Sequence, residues 1–130
     1  SIAYKWKINF NETGQIPAFY NVFPELNHNE INGFDIRETT GELCRKFYFI
    51  FLKDQNDHPR IQKRMDVLEK LYGGKGLPLE VLELSGENDF HKIFSSLVLA
   101  DWTAYYSAEQ YGFKPEQAPT VEKFKKLINE

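Results

Sequence analysis

Glu12 and His28 are the side chains best placed by type and surroundings to move protons. They lie on either side of Ile16-Pro17-Ala18-Phe19-Tyr20, Val22-Phe23-Pro24 and Leu26, so a carboxylate and an imidazole share a stretch too aromatic for a solvated loop. Apolar surroundings shift the ionisation of such groups, and an imidazole titrates near pH ~6.5, which suits it to exchange protons at neutrality. A carboxylate shielded by Ile16, Phe19 and Phe23 would become a stronger base than one in water, able to take a proton and return it. Asn9, Asn11, Asn21, Asn27 and Asn29 accompany the pair and offer donors and acceptors that can orient a hydroxylated ligand.

Other candidates have simpler readings. Gly73-Gly74-Lys75-Gly76 lies between a helix and a strand, whereas phosphate loops lead from a strand into a helix, so it reads as a helix stop. His58 and His91 fall at expected helix starts, where capping needs no catalysis, and no His pair has metal-ligand spacing. Cys44, the single cysteine, reads as a small buried hydrophobe beside Leu43. Asn11-Glu12-Thr13 matches a glycosylation acceptor, which has meaning only in a secreted protein. Asp101 interrupts an apolar run and is expected to be a structural anchor.

The elements that must position these groups follow from periodicity. Ile2, Trp6 and Phe10 form a helical stripe over residues 1–13, with no evident cap, so this helix reads as cut at its start. Pro17 and Pro24 break the chain, and Asn27 to Gly33 fit a brief helical turn between an Asn cap and a Gly stop. Phe47 to Leu52 read as a strand buried on both faces and central in a parallel sheet. A helix with Asp57 as cap, Ile61, Met65, Leu68 and Leu71 or Tyr72 on one face, and Gly73-Gly74 as stop comes next. Leu79 to Leu84 make a second strand, and a long helix runs from Asp89 to Tyr111. Its stripe of Phe90, Ile93, Phe94, Leu97, Val98, Trp102, Tyr105 and Tyr106 is expected in the core or at a subunit interface. A last helix spans Val121 to Ile128.

Two strands joined by a helix run parallel, so the class is α/β with helices covering a sheet. Two strands are few for a sheet, so either further strands lie in Glu30–Thr39 or, as the abrupt start of the first helix favours, the single domain over 1–130 is one part of a larger protein. Its 42% hydrophobic and 27% charged residues are those of a globular protein. The net charge of −3 attracts neither nucleic acid nor an anionic membrane, and no apolar run reaches membrane-spanning length. With no disulfide framework and no signal-peptide layout, a cytoplasmic location is expected.

Asn11-Glu12 followed by Ile16-Pro17-Ala18-Phe19, and then the run from Phe23 to Ile31 that contains Asn27-His28-Asn29-Glu30, resembles the C-terminal domain of the bifunctional phosphoglucose/phosphomannose isomerases of archaea and bacteria. Ala100 to Tyr106 and Ala118 to Leu127 are similar to the same family's ending, so the likeness covers nearly the whole chain. The resemblance implies a sugar isomerase (SIS) domain, a three-layer α/β sandwich around a central parallel sheet. Two such domains form each subunit, and the active site lies between domains of a homodimer. It further implies interconversion of glucose, mannose and fructose 6-phosphates by ring opening and a cis-enediol, without metal or coenzyme.

On this resemblance Glu12 matches the base and His28 the ring-opening histidine supplied by the neighbouring subunit. Lys126 matches the ring-opening lysine, with Lys125 as the alternative, and Thr120 the small residue linked to acceptance of mannose. Asn11 and Asn27 stand beside base and histidine as substrate-binding candidates. The phosphate-gripping loop and the enediolate arginine belong to an N-terminal domain this chain lacks, so the isolated fragment is expected to be nearly inactive. The rival expectation is a phosphosugar-binding SIS module that senses without catalysis.

Overall fold

The computed structural model describes residues 1–129, which form two compact units. One is continuous, Asn21–Ser85; the other joins residues 1–20 to the chain from Gly86 onward.

The continuous unit is built on a β-α-β crossover. Strand β1 (Phe49–Asp54) and strand β2 (Leu79–Leu84) pair in parallel, in register from Phe49 opposite Leu79 to Asp54 opposite Leu84, and helix α4 (Pro59–Gly74) connects them. Against their faces pack Leu26, Cys44, Phe51, Leu68, Tyr72 and Leu77, with Phe23, Ile31 and Phe34 at the margin. Phe34 meets Phe49 edge-on at 4.7 Å between ring centres, and Phe23 meets Phe51 likewise at 5.7 Å, an arrangement favoured by the ring quadrupoles. Cys44 is buried and turned toward the Gly33 carbonyl, 3.7 Å away, as a small core residue would be. It ends the short helix α3 (Gly41–Cys44).

The α/β class is as read from the pattern, and β2 has the expected bounds. Strand β1 starts later than the aromatic run and extends into Lys53 and Asp54. Phe47 instead packs on Phe34, and Tyr48 is exposed. Lys53 belongs in the strand because its stem is covered while its ammonium reaches Asp66 on α4 at 2.7 Å and Glu83 on β2 at 3.6 Å. Among the described residues the sheet has two strands, so β1 is not central, and only Phe51 of its residues is buried.

Helix α4 is capped by His58, whose Nδ1 accepts from the Arg60 amide at 3.1 Å. The expected cap, Asp57, accepts from the Asp54 amide and so closes the turn after β1. At the other end Gly76 takes φ +70, and the Leu77 amide reaches back to the Tyr72 carbonyl at 3.0 Å. A left-handed residue at this point is what glycine permits, so the Gly-rich stretch is a helix stop. Between the units' junction and β1, a 3-10 turn at Glu25–Asn27 precedes the short helix α2 (Glu30–Gly33), capped by Asn29 rather than Asn27.

The second unit is helical. Helix α1 (Ile2–Glu12) lies along helix α5 (Asp89–Gln110), and helix α6 (Pro119–Leu127) follows with proline in its first turn. Ser1 does cap α1, accepting from the Tyr4 amide at 3.3 Å, a role its hydroxyl suits. Trp6 Nε1 donates to Ser96 Oγ at 3.0 Å and Asn9 Nδ2 to Asp101 Oδ1 at 2.6 Å, so α1 and α5 run in the same sense. Asp101 is thus the anchor expected of it, from an exposed position.

The face α5 buries is Ser96, Ala100, Ala104 and Ala108, each one turn from the next. This overturns the expectation that its aromatic stripe is core. Phe90, Phe94, Val98, Trp102, Tyr105 and Tyr106 are all exposed, and Trp102 and Tyr106 stack on each other 5.7 Å apart. Small residues let two helix backbones approach closely, and large ones on that side would hold them apart.

Candidate active site

Glu12 is the last residue of α1, and the chain just beyond it is tied down locally. Asn11 Oδ1 accepts from the Ala18 amide at 2.7 Å and its Nδ2 donates to the Ala18 carbonyl at 3.4 Å, clasping residues 11–18 into a ring around the carboxylate's backbone. Inside this ring the Ile16 amide returns to the Phe10 carbonyl at 3.1 Å. Gly14 is buried there, and a Cβ on it would lie 2.7 Å from the Phe10 carbonyl oxygen, so no other residue fits without moving backbone. Gln15 follows with φ +52, a left-handed turn unusual for a residue with a side chain.

That turn aims the Gln15 amide at the loop before α6. Its Nε2 donates to the Lys114 carbonyl at 2.8 Å and the Gln117 carbonyl at 3.1 Å. One glutamine therefore links the end of α1 to the segment that launches α6 and its Thr120, Lys125 and Lys126. Lys125 binds Glu122 at 2.9 Å, and that hydrogen bond, Glu122's charge and, further off, the Glu12 carboxylate hold its ammonium above the usual lysine range. Lys126 and Thr120 are exposed on the same helix.

His28 and Asn27 belong to the other unit. His28 ends the 3-10 turn, its amide bonded to the Glu25 carbonyl at 2.9 Å and its imidazole exposed. Asn27 Oδ1 receives Arg64 Nη1 at 3.4 Å. The structure therefore brings Glu12, Asn11, Thr120 and the two lysines into one unit, and Asn27 and His28 into the other.

Two expectations change in detail. Glu12 is exposed within this chain, and of the residues expected to shield it Phe19 is itself 78% exposed, while Phe23 packs on Phe51 within the other unit. The asparagines read as ligand-orienting have structural partners: Asn9 on Asp101, Asn11 on Ala18, Asn21 on Glu30 at 3.0 Å, Asn27 on Arg64, and Asn29 on Glu25 at 2.9 Å. Gln15 was not foreseen; the signal for it is its place after Thr13-Gly14, where a helix must be ended by left-handed backbone. Among the described residues no three His, Cys, Asp or Glu side chains group so as to hold a metal ion, and no helix is long and apolar enough to cross a membrane.

A parallel β-α-β unit and a helical unit whose end carries an exposed carboxylate and lysines define an α/β domain. Residues 1–128 match the model of the bacterial phospho-glucose isomerase C-terminal SIS domain, and the chain belongs to that family. It is similar to the bifunctional phosphoglucose/phosphomannose isomerase of Aquifex aeolicus, 32% identical over 98% of this chain, and to that of Thermoplasma volcanium, 34% identical over 98%. The corresponding enzyme of Caldicellulosiruptor bescii is 32% identical over 99% of the chain. The chain spans 37% to 39% of the length of these relatives.

Proposed function

We propose that this chain is the C-terminal SIS domain, one domain over 1–130, of an aldose-ketose isomerase that interconverts glucose 6-phosphate and mannose 6-phosphate with fructose 6-phosphate. The supporting observation is the end of α1: a clasped, exposed Glu12, linked through Gln15 to the helix that carries the C-terminal lysines. In this reading the Glu12 carboxylate takes the proton from C2 of the opened aldose and returns it to C1 by way of a cis-enediol. His28, supplied by the second subunit of a homodimer, passes the ring hydroxyl proton to the ring oxygen. Lys126, or Lys125 in its place, assists ring opening, and Thr120 leaves room for the mannose epimer.

Asn11 and Asn27 are the substrate-binding residues of this reading, Asn11 while its side chain also holds the Glu12 loop. An N-terminal SIS domain supplies the phosphate grip and the water exclusion that the exposed Glu12 requires, and the exposed aromatic face of α5 is the subunit contact. The reading calls for no metal or coenzyme, and it places the enzyme in the cytoplasm with glycolytic substrates.

The test is fructose 6-phosphate formation from both aldoses by the full-length protein, wild type beside Glu12→Gln. Removing a general base costs about 10²–10⁴-fold in turnover, and KM should move little. A wild type that binds the sugar phosphates without turning them over would refute the isomerase and leave a sensor module. Light scattering on Tyr105→Asp tests the α5 contact, with unchanged dimers counting against it.

A further inference from the structure

Between the Glu25–Asn27 turn with α2 on one side and α4 on the other lies an open groove of about 440 Å³, wholly within the β-α-β unit. Arg60 and, one turn on, Lys63 and Arg64 line it from α4, and no acidic residue lines it. Although the chain as a whole carries a net charge of −3, this one wall carries three cations. Among the described residues no ion pair engages any of the three.

Of the acids near the groove in sequence, Glu25 is bonded by Asn29, Glu30 by Asn21, Asp57 by the Asp54 amide and Asp66 by Lys53, and neither these nor Glu69 line it. Arg64 alone has a partner, the neutral Asn27 amide at a long 3.4 Å, which leaves its charge uncompensated. The rest of the groove is apolar. Ile31 faces it from α2, and Val67 and Leu71, both about half exposed, continue the α4 side one and two turns beyond the cations.

We propose that this groove is a binding site for a nucleoside polyphosphate, with the phosphates on Arg60, Lys63 and Arg64 and the nucleoside on Ile31, Val67 and Leu71. Arginine forks match phosphate oxygens in pairs, and three cations together favour a chain of phosphates over a single one. The volume falls within the roughly 300–1,000 Å³ of small-ligand sites, and a bare anion would leave the apolar half empty. This inference goes beyond the isomerase reading and does not depend on it.

The test is calorimetric titration of the purified protein with ATP and, separately, with inorganic tripolyphosphate, at low salt and without sugar. ATP should bind more tightly than tripolyphosphate. Arg60→Gln combined with Arg64→Gln should weaken both by at least about tenfold, the loss of one to two charge-assisted hydrogen bonds. Val67→Ser with Leu71→Ser should weaken ATP by roughly three- to tenfold and leave tripolyphosphate within about twofold. All four positions are exposed, so the variants should keep the wild-type Tm, which serves as the folding control.

No saturable binding of ATP below about 10 mM would overturn the proposal. So would binding that survives the arginine pair, or tripolyphosphate binding as tightly as ATP. Displacement of ATP by an equal concentration of fructose 6-phosphate would overturn it as well, by placing the nucleotide in the sugar phosphate site.

Discussion

Replacing Ala104 by leucine should unfold this protein at a markedly lower temperature than replacing Phe94 by alanine, against ordinary expectation for a helix rich in aromatics. Ala104 is fully buried on the α5 face that also carries Ser96, Ala100 and Ala108, and Ser96 bonds to Trp6 of α1. An isobutyl group in place of that methyl has no space unless the helices part, and overpacking of this kind costs about 1–3 kcal/mol. For a chain of this size that is a fall in Tm of roughly 4–12 °C, taking about 4 °C per kcal/mol.

Within one chain Phe94 is 62% exposed, so in the monomer, held as such by Tyr105→Asp in both variants, its truncation removes only a minor part of the ~1.5–3 kcal/mol that full burial of a phenylalanine is worth. Alanine is also the better helix former by a few tenths of a kcal/mol, so the net change should lie between zero and about 1 kcal/mol. Scanning calorimetry of both variants at one protein concentration decides the matter. A Phe94→Ala protein that melts below Ala104→Leu would refute the assignment of the small-residue stripe as the packing face.

Two further substitutions probe single contacts. The Tyr72 hydroxyl is buried with no hydrogen-bond partner among the described residues, so Tyr72→Phe should raise stability by about 1 kcal/mol by removing an unsatisfied polar atom. Burial, and secondarily the charge of Glu30, push that hydroxyl up to about 12, above its value of 10.0 in water. The neutral phenol's contribution is therefore complete below pH 10 and is lost as pH rises toward 12, where the unfolded chain ionises first. The advantage of Tyr72→Phe in urea titrations should widen across that window; an advantage that stays constant would count against it. Gly14→Ala should cost roughly 2 kcal/mol, because its Cβ would meet the Phe10 carbonyl oxygen at 2.7 Å, and a Tm equal to wild type would show that the turn after α1 gives way more easily than its geometry indicates.

The periodic signals carried far. Strand β2 and helices α1, α4 and α5 follow from the spacing of Leu79-Val81, Trp6-Phe10, Leu68-Tyr72 and the long apolar run of α5 to within a residue or two. What misled was weight: aromatics outnumber small residues on α5, and hydrophobicity alone assigns them to the interior. The interior was decided by how near two backbones can come, which favours alanine over tryptophan. The same competition moved caps, since His58 and Asn29 were as able to accept an amide as Asp57 and Asn27. Around the candidate site, Glu12 and His28 stand out by type, but the partners of the asparagines depend on loop paths that no periodicity encodes.

The helical unit is interrupted in sequence by the whole of the β-α-β unit, and Trp6 meets Ser96 across 90 intervening positions. On a ribosome adding about 5–20 residues per second, α1 emerges roughly 5–18 s before its partner exists. The continuous unit, Asn21–Ser85, can complete itself in that interval. Through that interval helix α1 is without the α5 face on which Trp6 later finds Ser96, so the helical unit closes only after the β-α-β unit has been made.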